Sequence, residues 1–376
     1  MVQYKTLVKK VSISPEKKTK QKDYLPKGQL PIIDQGQQLI GGYSDNLDLQ
    51  LSCNLPVIVF GDHTRAVKYV DFPFGAGADG IKVLEPTEGI HPKFLYYATQ
   101  YLVLRLEDRG YARHYQYIEK KELNIPSLSK QKRIVARIEE LFSELDNGVE
   151  TLRKTKQQLA VYRQAVLKEA FDRVIPDSRM QTIKAVCNDI KVGIVIKPAQ
   201  YYTDETNGIK AFRSANVREF RINDADWVYL TKEGHECNLR SEIHTGDVLI
   251  VRSGYPGTAC VVTNDYNNCN AIDVLIAVPN TDIVTPEYLC AFTNSPYGRK
   301  LVAEKKRGVA QAHLNVGGYS KMEIPVLEIS VQKQVVQSIE QRLSVYDSIS
   351  KTIDTALQQA EAMRQSILKQ AFEGRF

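Results

Sequence analysis

The sequence predicts an α/β (α+β) chain with a pseudo-twofold internal repeat: two mixed domains separated by two long helices that pair as an antiparallel coiled coil. Three observations predict it. Residues 131–173 align with residues 332–374 at a constant offset of 201 without a gap, and 16 of the 43 positions are identical. A period of that length is far too long for a solenoid and fits a duplicated domain. Few residues break either window, and apolar residues recur in both at heptad spacing. The stretches before them are instead short, β-branched runs punctuated by Gly and Pro.

The domains follow as residues 1–128, a spacer helix over 129–173, a second domain over 174–330 and a second helix over 331–376. In the first domain Leu55-Pro-Val-Ile-Val-Phe-Gly-Asp62 reads as a short buried strand ended by glycine, paralleled by Gly246-Asp-Val-Leu-Ile-Val-Arg-Ser-Gly254 in the second. Gly28-Gln-Leu-Pro-Ile-Ile-Asp34 corresponds to Gly208-Ile-Lys-Ala-Phe-Arg-Ser214. His91-Pro92 and Thr285-Pro286 each open a short helix, where proline is tolerated at the first position. Gly110 and Gly308 each introduce a polar loop, and Ile125-Pro126 and Ile324-Pro325 end the domains before the long helices begin.

The first helix carries its stripe on Ile134, Ile138, Leu141, Leu145, Gly148, Leu152, Thr155, Leu159, Tyr162 and Val166. The second carries Val335, Ile339, Arg342, Tyr346, Ile349, Ile353, Ala356, Ala360, Met363 and Ile367. Two such stripes bury each other, and at ~1.5 Å per residue each rod is roughly 65 Å long, the length of a spacer.

Composition is that of a globular chain, 43% hydrophobic and 25% charged. No apolar run approaches the ~18–20 residues that cross a bilayer, and no secretory leader is apparent. Six cysteines (Cys53, Cys187, Cys237, Cys260, Cys269, Cys290) form no Cys-x-x-Cys pair, which points to reduced thiols and a cytoplasmic location. The net charge of +6 resides entirely in residues 1–27, which hold eight Lys against two acidic residues; the rest is balanced. Net charge therefore does not by itself identify a nucleic-acid partner, and Lys17–Lys22 reads as a solvated charged loop.

Catalytic signatures are missing. Gly75-Ala-Gly-Ala-Asp-Gly80 matches a dinucleotide fingerprint, but the following Ile81-Lys-Val-Leu84 reads as a strand, so a turn is expected. There is no Walker loop, no Asn/Asp-Pro-Pro-aromatic segment of adenine methyltransferases, and no Glu-x-Lys pattern after Pro176-Asp177. His235 and Cys237 lack two further ligands at zinc spacing. His63, His114 and His313 have no visible Ser or Cys nucleophile. Neither an active site, a metal nor a cofactor is expected.

Taken together, these residues resemble the specificity subunit of type I restriction–modification systems across nearly the whole chain. The matching text is Leu30-Pro-Ile-Ile-Asp-Gln-Gly36, Val57-Ile-Val-Phe-Gly-Asp-His-Thr-Arg65, Asp71-Phe-Pro-Phe74 and Asp79-Gly80. In the second half it is Phe212-Arg-Ser-Ala-Asn-Val217, Gly246-Asp-Val-Leu-Ile-Val-Arg252, and the endings at Phe171 and Gly374. The opening Trp and Leu-Gly pattern of that family is not evident in Met1–Lys27. The resemblance implies two target-recognition domains, each reading one half of a bipartite site in double-stranded DNA. It further implies helical spacers that set the gap, and a non-catalytic chain that recruits two methyltransferase subunits and restriction/translocase subunits, with no membrane partner. A recognition subunit of a type IIB-like enzyme and a coiled-coil scaffold with no nucleic-acid role are the alternatives.

Cationic, amide and aromatic loop residues are the candidate DNA contacts, because Arg pairs with guanine edges and Gln or Asn with adenine. In the first domain these are His63, Arg65, Lys68, Arg109, Arg113, His114 and Tyr115, the last four within a loop that continues through Gln116 and Tyr117. In the second they are Arg213, Asn216, Arg218, Arg252, Tyr255, Arg307, Gln311, His313 and Asn315.

Overall fold

A computed structural model describes residues 1–78, 80–107, 110, 112–306, 313–374 and 376. The chain is mixed α and β and divides into two compact units, Met1–Arg153 with Asp354–Phe376, and Lys154–Ile353. Long helices occupy Leu128–Asp172 and Ile329–Phe372, so each contributes residues to both units.

In unit 1 a four-stranded antiparallel sheet is ordered Val8–Lys10, Ile81–Pro86, Val57–Gly61, Val67–Val70. Val57–Gly61 is a continuous apolar run because it is central and covered on both faces. Val57 and Val59 pack with Ile33, Val70 and Phe74, while Ile58 and Phe60 face Leu84, Leu95 and Tyr115. A second sheet is ordered Lys18–Thr19, Gly75–Gly77, Leu30–Ile33, Gly42–Ser44, and its first three strands run parallel. The expected turn at Gly75 is thus corrected: Gly75–Gly77 is a strand. A Cβ on Gly75 would lie 2.7 Å from Ile32 Cδ1, and one on Gly77 2.6 Å from Asp34 Cβ, so glycine permits the close approach of strands. The next element is the strand Ile81–Pro86, not a helix, so no helix N-terminus is available for a pyrophosphate.

In unit 2 the antiparallel sheet runs Cys187–Val192, Val274–Pro279, Val248–Val251, Ala259–Val261, again with the central apolar run covered on both faces. Its companion sheet is ordered Tyr202–Thr203, Val228–Leu230, Ile209–Phe212, Cys269–Ala271, Glu242–Ile243, and again holds a parallel pair, Ile209–Phe212 beside Cys269–Ala271. The helices Pro92–Leu104 and Pro286–Asn294 each begin at the expected proline, the second capped by Thr285 Oγ1 accepting from Tyr288 N.

One buried glutamine ties each long helix to its own unit. Gln131 is 0% exposed; its Oε1 accepts from His91 N (2.8 Å) and its Nε2 donates to Gly89 O and Pro126 O (3.0 Å each). Gln332, also 0% exposed, accepts from Thr285 N (2.9 Å) and donates to Ile283 O and Leu327 O (2.8 Å each). A buried amide with all its bonds made costs little; left unmade, each is expensive.

Within unit 1, Ile134, Val135, Ile138 and Phe142 of the first helix join Ile367, Leu368 and Ala371 of the second in one core with Phe94 and Leu102. Arg364 pairs with Asp146 and lies 4.4 Å from the Phe142 ring centroid. Within unit 2, Val166, Leu167 and Phe171 share a core with Ile339 and Leu343. There Arg163 pairs with Asp347 and Glu169 with Arg342, so the second helix runs antiparallel to the first. Three residues placed on the stripes by spacing, Tyr162, Ile349 and Met363, are 40%, 41% and 55% exposed. The helices bury a wider face against their domains than two residues per heptad supply.

Among the described residues no helix is long and apolar enough to cross a membrane. None of the cysteines forms a disulfide.

Candidate nucleic-acid interface

Each unit gathers three segments at one edge: the end of a parallel strand, the tip of the hairpin from the antiparallel sheet, and the loop after the domain's helices. In unit 1 the hairpin tip spans Gly61 to Ala66. Its backbone closes on itself through Gly61 N to Ala66 O and Arg65 N to Gly61 O (2.8 Å each), which holds Arg65 at a left-handed φ of 61°. Asp62 is the joint. Its N donates to Gly80 O (2.6 Å), its O accepts from His114 N (2.8 Å), and its carboxylate accepts from Tyr115 N (2.8 Å). Thr64 Oγ1 donates to Gln35 O and Gln37 Nε2 reaches Thr64 O (3.5 Å), fastening the loop after Leu30–Ile33 to the same tip.

Unit 2 has the same joint with different side chains. Leu314 N donates to Arg252 O and Arg252 Nε to Leu314 O (3.1 Å each), while Arg252 Nη1 meets Asp273 at 2.5 Å. Beyond it Gly254 and Gly257 take φ values of 79° and 84°, folding a tight tip that holds Tyr255 outward at 85% exposure.

The expected contact residues separate on this frame. Arg113, Arg218, Tyr255, His313 and Asn315 are exposed; His63, Arg65, Arg213 and Arg252 are half-buried at the same edges. Arg218 Nη1 donates to Ser214 O and Val217 O, and Asn315 caps Val316–Ser320 by accepting from Gly318 N, so both have structural work as well. Arg213 Nη2 is held on Asp226 O at 2.5 Å. Arg109, Arg307 and Gln311 lie outside the described residues.

Four expectations are corrected by burial. Lys68 is 5% exposed, with Nζ on Asp34 O (2.8 Å); burial pulls its pKa below the usual lysine range, against the pull of Asp34. His114 (1%) and Tyr115 (3%) lie in the core, Tyr115 tilted against Phe60 at 5.9 Å, and burial pushes the phenol up. Asn216 is 0% exposed and holds its own loop, accepting from Arg213 N and donating to Asn223 O and Ala225 O. None of the four can meet a base edge while so placed. One further expectation is overturned: His313 does have a serine partner, Ser253 Oγ at 2.5 Å from Nδ1. This bond ties Ser253 of the hairpin tip to the segment that leads into Leu314. No group of three His, Cys, Asp or Glu side chains suited to a metal occurs among the described residues. Sequence reading missed Asp62, Gln35 and Gln37, whose signal lay in the Gly-Asp and Asp-Gln-Gly steps that end the two strands.

Residues 8–159, which contain the whole unit 1 edge, match the family described as "Type I restriction modification DNA specificity domain". The chain is also 26% identical over 276 residues to the type I restriction enzyme EcoBI specificity subunit of Escherichia coli, covering 67% of this chain and 58% of that one. By these likenesses the chain is similar to type I restriction–modification specificity subunits. The stretch that this chain shares with the EcoBI subunit is less than two thirds of the latter's length. Two solved structures share the fold. One comes from work on complex assembly and conformational transition of the type I R-M system, with TM-score 0.72 and 15% identity, covering 100% of this chain and 97% of that one. The other is the HsdS subunit from Thermoanaerobacter tengcongensis, with TM-score 0.55 and 16% identity, covering 100% and 96%.

Proposed function

We propose that this chain is the DNA-reading, non-catalytic subunit of a type I restriction–modification complex. Unit 1 and unit 2 each read one half of a bipartite duplex site through the edges built on Asp62 and Arg252. The two long helices, paired antiparallel with pseudo-twofold symmetry, fix the gap and carry docking faces for two methyltransferase subunits and for restriction/translocase subunits. The observation that carries the reading is the joint itself: in both units a hairpin tip and a post-helix loop are tied main chain to main chain, His114 N to Asp62 O and Leu314 N to Arg252 O. Around this tie the side chains differ, which is what two readers of unlike half-sites require. Exposed Arg113, Arg218 and Tyr255, with half-buried Arg65, then supply phosphate and base contacts. Sequencing the methylated bases of cells with and without the gene tests this. One split-motif adenine methylation is expected to vanish on deletion; an unchanged pattern, or methyl transfer by the purified chain alone, refutes it.

A further inference from the structure

The lysines of residues 1–27 divide by what they touch. Lys9 and Lys10 pair with Glu85 (3.7 Å) and Glu119 (2.9 Å), and Lys17 Nζ donates to the carbonyls of Asp48 and Gln50. Lys18, Lys20 and Lys22 are exposed, and among the described residues their ammonium groups show neither an ion pair nor a hydrogen bond. Their place in the fold is specific. Lys18–Thr19 is the outer strand of its sheet and runs parallel to Gly75–Gly77 (Lys18 beside Ala76, Thr19 beside Gly77), which itself runs parallel to Leu30–Ile33. Parallel strands deliver their ends to the same side. There Ile33 leads into Gln35 and Gln37, Gly77 leads to Gly80 and the Asp62 joint, and Thr19 leads into Lys20 and Lys22. Tyr24 secures this segment: its hydroxyl lies 2.7 Å from where a Cβ on Gly77 would stand, beside Asp34. Thr19 is turned inward at 7% exposure, which leaves its neighbours Lys18 and Lys20 facing outward.

We propose that Lys18, Lys20 and Lys22 form a phosphate-binding rail that seats the DNA backbone alongside the reading edge of unit 1; the proposal rests on the DNA-reading function above. The rail carries no base information. It positions the duplex so that the tip at Thr64–Arg65 addresses the groove. Among the described residues, the outer strand at the corresponding place in the unit 2 sheet is Glu242–Ile243, which runs antiparallel to its neighbour and sets a carboxylate beside His235 and His244 instead of a run of lysines. Backbone seating is therefore asymmetric between the two readers. The competing role for lysines on an outer strand is to prevent edge-to-edge aggregation, which involves no DNA.

The test compares the full-length chain with its K18Q/K20Q/K22Q variant and with K184Q/K333Q/K369Q, which removes the same charge from exposed positions elsewhere. Binding is measured by fluorescence anisotropy from 50 to 200 mM salt on two duplexes, one bearing the split motif identified by methylation and one with both halves scrambled. The rail variant is expected to weaken on both duplexes by the same factor. Its slope of log K against log salt should fall by about 2.7, at ~0.9 for each phosphate no longer neutralised. Motif preference and melting temperature should be unchanged, and the control should keep the parent slope. A slope change below one, a slope equal to the control's, or aggregation without a change in slope overturns the rail while leaving the DNA reading intact. Failure of the parent chain to prefer the motif duplex overturns the reading itself.

Discussion

Replacing Gln131 by alanine removes one acceptor and one amide from a position with no solvent access. Three backbone groups lose their partner: His91 N–H, Gly89 C=O and Pro126 C=O. Each net hydrogen bond is worth ~1 kcal/mol and an orphaned buried donor costs about 1–3 kcal/mol. Gly89 is exposed, so water can serve its carbonyl. The total is then about 2–4 kcal/mol, or a melting shift of roughly 6–12 °C for a unit of this size. Gln332→Ala removes the equivalent three hydrogen bonds in unit 2 and should cost the same within a factor of two. The two are separable because the one tryptophan, Trp227, lies in unit 2. Urea unfolding of Gln332→Ala is followed by its fluorescence, and that of Gln131→Ala by circular dichroism. Gln131→Glu keeps the acceptor for His91 N–H but turns a carboxylate toward two carbonyls. Its deficit should shrink as pH falls, because protonation restores a donor. A loss under about 1 kcal/mol for either alanine variant would falsify the view that these amides hold the long helices to their domains.

Three further outcomes are expected. Phe171→Ala, at a fully buried ring packed on Tyr288 and Phe292 (5.4 Å each), should destabilise unit 2 by about 3–5 kcal/mol in urea melts, whereas a loss below 1 kcal/mol would mean that the helix end is not part of that core. Tyr255→Ala, at a ring 85% exposed, should leave the melting temperature alone but weaken motif binding roughly tenfold, and unaltered binding removes this tip from the interface. Asn216→Asp loses both donor bonds to Asn223 and Ala225, so it should lower stability by about 1–3 kcal/mol before any effect on motif choice; a stable variant with altered motif would restore Asn216 as a reader.

Particular residues show how far the sequence can be read. The starts of the long helices were legible to within two residues, since Pro126 and Pro325 punctuate them, while the second helix ends at Phe372, four residues short of the expected 376. The width of their buried face was not. Phe142, Leu167 and Phe171 fall off the heptad stripe, and only the position of the domain cores makes them interior. The strand ends that lead into the hairpin tips were legible because apolar runs end abruptly in Gly-Asp and Arg-Ser-Gly. What was not legible is which polar side chains at those tips face outward. Lys68 sits opposite Val59 in a strand covered on that face, and Asn216 closes a loop around itself. A lysine or asparagine looks the same in sequence whether it meets solvent or completes an internal bond, and only strand register decides.

The tie between hairpin tip and post-helix loop is made by main-chain atoms, His114 N to Asp62 O and Leu314 N to Arg252 O. Main-chain donors and acceptors are the same whatever residue other than proline carries them. A lineage can therefore replace the outward side chains of either edge one at a time and keep the edge itself; on the proposed function, a new preference could then arise in one half of the site while the other half and the gap are inherited unchanged.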